Sequence, residues 1–362
     1  MPTTDLTEAG NWLRLALIPG VGPITLRTLL TEFGSPERIL AATHAALRNF
    51  VAAEVATEIA RGGNAEGAHI ALEWLSELDN HIVTLGDADY PQLLLQTADP
   101  PPLLYVKGRL DLLNQPALAI VGSRNSSTQG SDNATEFARA LSAAGITIVS
   151  GLALGIDAAA HRGGLAGTGS SIALVGTGLD VVYPARNKTL AHELAAKGAL
   201  ISEYPLGTPP LAANFPRRNR LISGMSLGCL VVEAALQSGS LITARFANEQ
   251  GREVFALPGS IHSPLAKGCH ALIKQGAKLV DDANDILDEL RLPARTNRTR
   301  ESPALDGDEA SLLNHLGHSP CDLDVLCARA QVGADVAAGL LLTLELKGLV
   351  ESLPGGRYQR VR

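Results

Sequence analysis

Between residues 6 and 78 apolar side chains recur at the spacing of short helices. Leu13 and Leu17, then Leu26, Leu29 and Leu30, then Ile39 and Leu40 fall on helical faces, interrupted by Pro19-Gly20-Val21-Gly22-Pro23 and Gly34-Ser35-Pro36. From residue 81 the rhythm changes to short aliphatic runs: Ile82–Leu85, Leu103–Val106, Ala117–Val121, Ile146–Val149, Ile172–Val175, Ala199–Ser202, Cys229–Val232 and Val254–Leu257. Most are followed by a Gly-containing turn and about 10 to 15 residues of helical pattern, which predicts βαβ units, a parallel sheet and helices on both faces. Arg291–Pro303, rich in Pro, Arg, Thr and Ser, predicts a linker. Beyond it Glu309–Leu316, Leu323–Ala328 and Asp335–Lys347 predict three helices, and Leu349–Leu353, a Pro354-Gly355-Gly356 turn and Arg357–Val361 predict a β-ribbon. Three helices and a ribbon make a winged helix. The expected fold class is α/β: a helical domain over 1–80, an extended Rossmann-like parallel core over 81–290, the linker over 291–303 and the winged helix over 304–362.

Composition supports a large core and narrows the function. Of 362 residues 46% are hydrophobic and only 19% charged, far from the signature of disorder. No apolar run reaches about 18 residues, and the start of the chain carries acidic residues rather than a basic segment, so neither membrane spanning nor export is expected. Cys229, Cys269, Cys321 and Cys327 contain no CxxC pair, and a reducing cytoplasm is the expected compartment. The net charge of −7 argues against indiscriminate nucleic-acid binding. Its distribution qualifies that: residues 1–80 and 304–362 are acidic, while 81–303 hold 20 basic and 19 acidic groups. A phosphate-binding surface is therefore expected in the middle of the chain.

In open parallel sheets ligands bind outside the carboxyl ends of the strands. The loops expected there are Gly122-Ser123-Arg124-Asn125-Ser126-Ser127, Ser150-Gly151-Leu152-Ala153-Leu154-Gly155, Gly176-Thr177-Gly178 and the stretch from Glu233 to Ser240 that contains Ser238-Gly239-Ser240. Glycine lets amides approach an anion, serine offers a donor, and a helix N-terminus follows each loop. Neither G-x-G-x-x-G nor G-x-x-x-x-G-K-[ST] occurs, so bound dinucleotide and P-loop hydrolysis lose their usual support, and no cofactor is expected. The sharpest feature is Asn214-Phe215-Pro216-Arg217-Arg218-Asn219-Arg220. Guanidinium groups fork onto phosphates and an aromatic face stacks on an unpaired base, which suits a single strand. Arg124, directly after a strand and a glycine, is a further phosphate candidate.

Other motifs carry weaker chemistry. Asp157 and His161 lie four apart at a helix start and share a face, as a general base and its orienting carboxylate would; capping by Asp157 and packing by His161 is the favoured alternative. His315, His318, Cys321 and Cys327 match no standard zinc spacing, and no metal is expected. The Pro19-to-Pro23 turn resembles a helix-hairpin-helix, whose amides can hold a phosphate. The third winged-helix segment is mostly apolar, with Arg357, Arg360 and Arg362 in the wing, leaving duplex binding and protein contact both open.

Taken together the motifs resemble the DprA/Smf family, DNA-processing proteins of bacterial natural transformation. The matching stretches are Ile120-Val121-Gly122-Ser123-Arg124, Ser150 through His161, Gly176 through Pro184, Ser202-Glu203-Tyr204-Pro205, Asn214 through Arg220, Ser238 through Ala244, Gln250-Gly251-Arg252, Pro258-Gly259 and Lys267-Gly268-Cys269-His270. The likeness runs continuously from about residue 82 to 290. Outside that span it is architectural, since family members often carry an N-terminal SAM-like or hairpin domain and a C-terminal winged helix. The resemblance implies a non-catalytic binder of single-stranded DNA that dimerises, protects incoming strands and loads the RecA recombinase, including onto strands coated by single-stranded-DNA-binding protein. The implied DNA site comprises Gly122, Ser123, Arg124, Gly151, Tyr183, Phe215, Arg217, Arg218, Asn219, Arg220, Ser238, Gly239 and Ser240. Where relatives place a basic residue after the Tyr-Pro pair this chain has Ala185, and Arg186 or Lys188 is the expected substitute. With about four phosphates neutralised per protomer, log affinity should fall by about 2.8 per decade of salt. Leu272, Ile273 and Leu279, around Gly276, are the expected dimer contacts. Two rivals stand beside this: a nucleotide phosphoribohydrolase using Glu233, although the P-G-G-x-G-T loop is absent, and a transcription factor reading duplex DNA through its winged helix.

Overall fold

The computed structural model describes residues 6–292, 305–317 and 320–360. The predicted linker from residue 293 onward, His318 and Arg362 lie outside the described residues. Six helices come first: α1 (Leu6–Ala16), α2 (Pro23–Phe33), α3 (Pro36–Leu40), α4 (His44–Leu47), α5 (Ala53–Ala60) and α6 (Ala65–Leu75). Then β1 (Asn80–Thr84), α7 (Gln92–Leu95), β2 (Leu103–Gly108) and β3 (Ala117–Val121) lead into alternating helices and strands. These are α8 (Thr128–Ala143), β4 (Thr147–Ser150), α9 (Ile156–Leu165), β5 (Ser171–Leu174), α10 (Lys188–Lys197), β6 (Ala199–Ser202), α11 (Asn214–Gly224), β7 (Gly228–Val231), α12 (Ser240–Glu249), β8 (Glu253–Ala256), α13 (Lys267–Lys274), β9 (Lys278–Leu279) and α14 (Ala283–Glu289). The chain divides into two compact units, residues 1–126 with 133–295 and residues 127–132 with 296–362.

In the larger unit nine strands form one sheet in the order β1-β2-β6-β5-β4-β3-β7-β8-β9. From β6 to β9 every neighbour pair is parallel. The expected all-parallel pattern fails at one edge, where β2 runs antiparallel to β6 and β1 antiparallel to β2. The physical reason is the connection between β1 and β2, which holds only the one-turn α7 and makes no crossover over the sheet. Alternate residues of each strand face opposite ways. Ala119, Val121, Cys229 and Val231 pack beneath Leu221 and Ile222 of α11, Ala244 and Ala247 of α12 and Cys269 of α13. Leu118, Ile120, Leu230 and Val232 turn toward Ala134, Ala138 and Leu141 of α8, Ile156 of α9 and Ile286 of α14. Farther along that sheet, Ile82, Leu103 and Tyr105 share a core with Leu13 of α1, Ala68 and Ala71 of α6 and Leu194 of α10. The N-terminal helices thus join the sheet's own hydrophobic core, besides making one among themselves.

The chain passes from β3 through β4 and β5 to β6 in one direction, then returns to lay β7 against the other side of β3. The order reverses there, so the loops leaving β3 and β7 diverge and open a crevice at the carboxyl ends of the strands. At the far edge Leu279 of β9 is 47% exposed, whereas Leu272 and Ile273 are partly buried against the sheet core.

The smaller unit contains α15 (Gly307–Leu316), β10 (Cys321–Asp322), α16 (Leu323–Ala330), α17 (Ala334–Leu346), β11 (Val350–Leu353) and β12 (Arg357–Arg360). Its sheet has the order β10-β12-β11, and Leu312, Leu316, Leu326, Leu341 and Leu344 fill its core. Asp306 and Glu309 form a reciprocal capping box at the start of α15, and Glu309 also accepts from Lys347 Nζ at 2.6 Å. On α17 the exposed positions include Asp335, Val336, Leu342, Glu345 and Leu346, with no lysine or arginine among the residues of that helix. That helix offers no cation to a duplex backbone, and Arg357 and Arg360 of the wing are the cationic groups on the described ribbon. Among the described residues no single helix is long and apolar enough to cross a membrane, and no group of three or more His, Cys, Asp or Glu could hold a metal.

Candidate functional site

A cleft of about 690 Å³ occupies the crevice at the reversal point. The β3 loop contributes Gly122, Ser123 and Arg124, the β7 loop contributes Ser238, Gly239 and Ser240, and Tyr183 closes one side. From α11 come Phe215, Arg218 and Asn219, together with Ile222. Positions 215, 218, 219 and 222 share one face because a helix repeats every 3.6 residues.

Packing fixes the backbone of this site. A Cβ on Gly122 would lie 2.6 Å from Ile156 Cγ1 and 2.9 Å from the Glu233 carbonyl oxygen, so glycine is what lets β3 pass close to α9 and the β7 loop. The Ser123 amide donates to that Glu233 carbonyl at 2.8 Å, and the Ser123 hydroxyl accepts from the Asn125 amide at 3.1 Å. On the opposite wall the hydroxyls of Ser238 and Ser240 lie 2.7 Å apart at the start of α12. That N-terminus brings its partial positive charge to the cleft.

The aromatic and cationic groups form one stack. Phe215 and Tyr183 have ring centroids 5.5 Å apart at an interplanar angle of 37°. The Arg124 guanidinium lies 5.8 Å from the Phe215 centroid on the exposed side. Phe215 itself rests on Gly176, where a Cβ would come within 3.1 Å of its ring. Asn214 anchors the start of α11 by donating to the Gly176 carbonyl at 3.0 Å, and Asn187 donates to the carbonyls of Leu152 and Ala153, tying the Tyr183 segment to the β4 loop.

Arg218 forms the floor. It is 4% exposed, donates through Nη1 to the Leu174 carbonyl, and covers Gly151 so closely that any side chain there would collide with it. Its Nε makes no hydrogen bond. Burial lowers its pKa to about 10, opposed by the Asp157 carboxylate and reinforced by Arg124, so it remains charged at neutral pH. Asp157 is pushed up by burial against the pull of Arg218, while accepting from the amides of Gly151 and Ala153 at 3.1 and 3.3 Å. His161 is fully buried. Its Nε2 accepts from the Leu152 amide at 3.2 Å, which places the proton on Nδ1, beside the Ser171 hydroxyl at 2.8 Å. Burial, with Arg218 and Arg162 nearby, takes its pKa to about 3. The pair is a structural brace of the β4 loop and not a general base.

Several expected site residues lie elsewhere. Gly151 is absent from the lining, its amide bonded to Asp157 and its α-carbon covered by Arg218. Arg220 is buried on the far face of α11 in an ion pair with Glu203 and Asp99. Arg217, 53% exposed, lies on that far side too, 3.9 Å from Glu203. Arg186 and Lys188 are exposed but do not line the cleft, so Tyr183 enters it without an adjacent cation. Glu233 is not a lining residue either. Gln237 lies within the post-strand loop expected at the site and Thr243 within the Ser238-to-Ala244 stretch, whereas nothing in the sequence pointed to Pro210, which also lines it.

The parallel sheet with its reversed strand order, the aromatic–guanidinium cleft at the reversal point and a small winged helix define a two-part α/β protein. The family profile described as "DNA recombination-mediator protein A" matches residues 81–291, and that of the "DprA winged helix domain" matches 296–356. This chain belongs to the DprA/Smf family. It is 46% identical over 303 residues to protein Smf of Escherichia coli strain K12, covering 81% of this chain and 80% of that one. It is 49% identical over 203 residues to the DNA processing protein DprA of Streptococcus pneumoniae, covering 56% and 72%. The X-ray structure of DprA from S. pneumoniae superposes with a TM-score of 0.69 at 36% identity, covering 80% of this chain and 99% of that one. A structure of DNA processing protein A from Helicobacter pylori, described for its single-stranded DNA binding mode, gives 0.53 at 31% identity, covering 58% and 95%.

Proposed function

We propose that this protein binds single-stranded DNA in the cleft, without chemistry on it, and delivers the strand to the RecA recombinase during natural transformation. The observation that carries this reading is the Tyr183–Phe215–Arg124 stack above the buried Arg218. A planar base has an aromatic face to meet, and a phosphate has an exposed guanidinium and the α12 N-terminus beside it. The groups that touch the ligand carry no pattern of donors matched to one base, so recognition is tolerant of sequence. The likeness to the H. pylori protein, whose structure is described as binding single-stranded DNA, supports the same conclusion. Release of a base is disfavoured because the Asp157–His161 pair is committed to backbone and Glu233 stands outside the cleft. Within this reading the protein works in the cytoplasm as a homodimer, accepts strands coated by single-stranded-DNA-binding protein, and uses residues 81–290 as the DNA-binding part. A contribution of the winged helix to duplex binding would rest on Arg357 and Arg360 of the wing, because α17 carries no lysine or arginine.

The test is fluorescence anisotropy of labelled oligothymidylate against the full chain and its Arg124→Ala and Phe215→Ala variants across salt, with random duplex as competitor. Tight, salt-dependent binding that is weakened by both variants and poorly competed by duplex is the expected result. Equal competition by duplex, or affinity indifferent to both substitutions, would overturn it.

A further inference from the structure

Two loops meet at one rim of the cleft. The loop that follows β5 carries Tyr183, and the loop that follows β6, residues 205–213, supplies Pro210 and Ala212 to the lining before α11 begins. They are bonded to each other. The Asp180 carboxylate accepts from the Gly207 amide at 2.9 Å, and the Gly178 amide donates to the Thr208 carbonyl at 3.0 Å. A Cβ on Gly178 would lie 2.7 Å from the Pro205 carbonyl oxygen, so glycine is what lets the two loops run this close.

The surface of this rim is apolar. Residues 205–213 hold no charged side chain. Leu211 is 52% exposed and stands between two lining residues without lining the cleft itself, which places it at the lip. Its main chain is fixed on both sides: the amide donates to the Pro209 carbonyl at 2.9 Å, and the carbonyl accepts from the Asn214 amide at 3.0 Å. The Pro209-Pro210 pair stiffens the approach to it. On the other loop Val182, next to Tyr183, is likewise exposed outside the lining. A single exposed leucine is ordinary on a protein surface. This one is held in place beside a site shaped for an unpaired base.

That position answers a need of the strand. A base that enters the cleft to meet Phe215 and Tyr183 leaves its stack, and the neighbour left outside turns a bare face to water. Apolar side chains that pack against unstacked bases offset such losses, and a rigid one does so with little loss of side-chain freedom. A protein partner fits less well, since a stable interface covers about 800 Å² on each side, whereas the large apolar groups exposed on these two loops are Val182, Tyr183 and Leu211. We propose that Leu211 is a contact of the strand, its side chain lying against the face of the first base outside the cleft and holding the strand where it turns inward. This rests on the proposed binding of single-stranded DNA in the cleft. Because the rim carries no charge, Leu211 adds affinity without adding a phosphate contact.

The test is anisotropy of the full chain with oligothymidylate and with an abasic strand of equal length, across salt, for Leu211→Ser, Leu211→Phe and Arg124→Ala, with thermal unfolding of each. Leu211→Ser should weaken oligothymidylate about fivefold, the scale of covering half a leucine side chain, at the original salt slope and thermal midpoint. The abasic strand should be held as before, and Leu211→Phe should keep or improve the affinity for oligothymidylate. Indifference of oligothymidylate to Leu211→Ser, an equal loss on the abasic strand, an altered salt slope, or a loss that Leu211→Phe shares would each overturn the proposal. So would sedimentation in which Leu211→Ser abolishes self-association while strand affinity stays intact, since the rim would then cover a second copy. Arg124→Ala separates this failure from that of the wider reading. If it weakens both strands while Leu211→Ser weakens neither, the rim alone is refuted; if both strands ignore Arg124→Ala, the cleft is not the DNA site and the proposal falls with it.

Discussion

Arg124 and Arg218 differ by one property, access to solvent, and this sets what each can do for an anion. Arg218 has its charge balanced against Asp157 and its plane laid on Gly151, whereas Arg124 is exposed above Phe215. The cleft therefore offers two cations, one of them already countered, in place of the four expected from Arg124 and the three arginines of the run. At about 0.7 per phosphate for a single strand, the slope of log affinity against log salt should be no steeper than about −1.4 per protomer, and Arg124→Ala should flatten it by about 0.7. Phe215→Ala should cost about 1–3 kcal/mol of binding if a base stacks on it. His161 supplies a residue-scale test of a different kind. Its proton is bound near pH 6.5 in the unfolded chain but only near pH 3 in the fold, so the unfolded state takes up an extra proton as pH falls between those values. Stability is fully present above 6.5 and should drop by about 2 kcal/mol between pH 7 and 5. Denaturant unfolding at the two pH values should show that loss, with a smaller one in His161→Gln.

At the scale of elements, α11 explains both the success and the failure of the arginine motif. Its composition announced a charged helix, and spacing alone placed Phe215 and Arg218 on one face. What spacing could not reveal was which arginine would find a buried acid, because Glu203 lies in the segment after β6 and Asp99 in the loop before β2, each distant in sequence. Arg220 is consequently part of the fold. Arg220→Ala should destabilise the protein by about 3–5 kcal/mol, since it strands Glu203 beneath the surface. The folded fraction should keep its affinity for DNA, a combination that thermal unfolding and anisotropy distinguish. The eight strands legible from their aliphatic runs all form, within a residue or two of the expected bounds, because buried strands declare themselves by continuous apolar side chains. The two missed, β9 and β10, are two residues long and carry Lys278 and Asp322, too short for any periodicity. The antiparallel turn of β1 and β2 was invisible for a related reason: direction depends on the connection, and α7 is too short to register as a crossover helix or as its absence.

On the scale of the whole molecule, the sheet ends at β9, and its edge has to be managed. The strand is short, and Lys278 reaches Glu289 at 2.7 Å, both of which discourage indiscriminate pairing. Beside that restraint stand exposed apolar groups, Leu236 at 64% and Leu279 at 47%. A groove that includes Leu236, Leu272 and Gly276 lies between α12 and α13. We propose this edge as the contact of the homodimer, with Leu279 as the residue that touches the partner and Leu272 and Ile273 supporting it from within, since the latter two are already half committed to the core. Distinct roles follow from distinct burial. Leu279→Glu places a charge on a surface that is open in the monomer, so the fold should be retained within about 0.5 kcal/mol while self-association is lost. Ile273→Glu puts its charge against the sheet core and should unfold the protein outright. Sedimentation velocity at micromolar concentration, paired with thermal unfolding, separates the cases: a monomer with the original midpoint for Leu279→Glu sustains the assignment, and an undisturbed dimer would remove this edge from consideration.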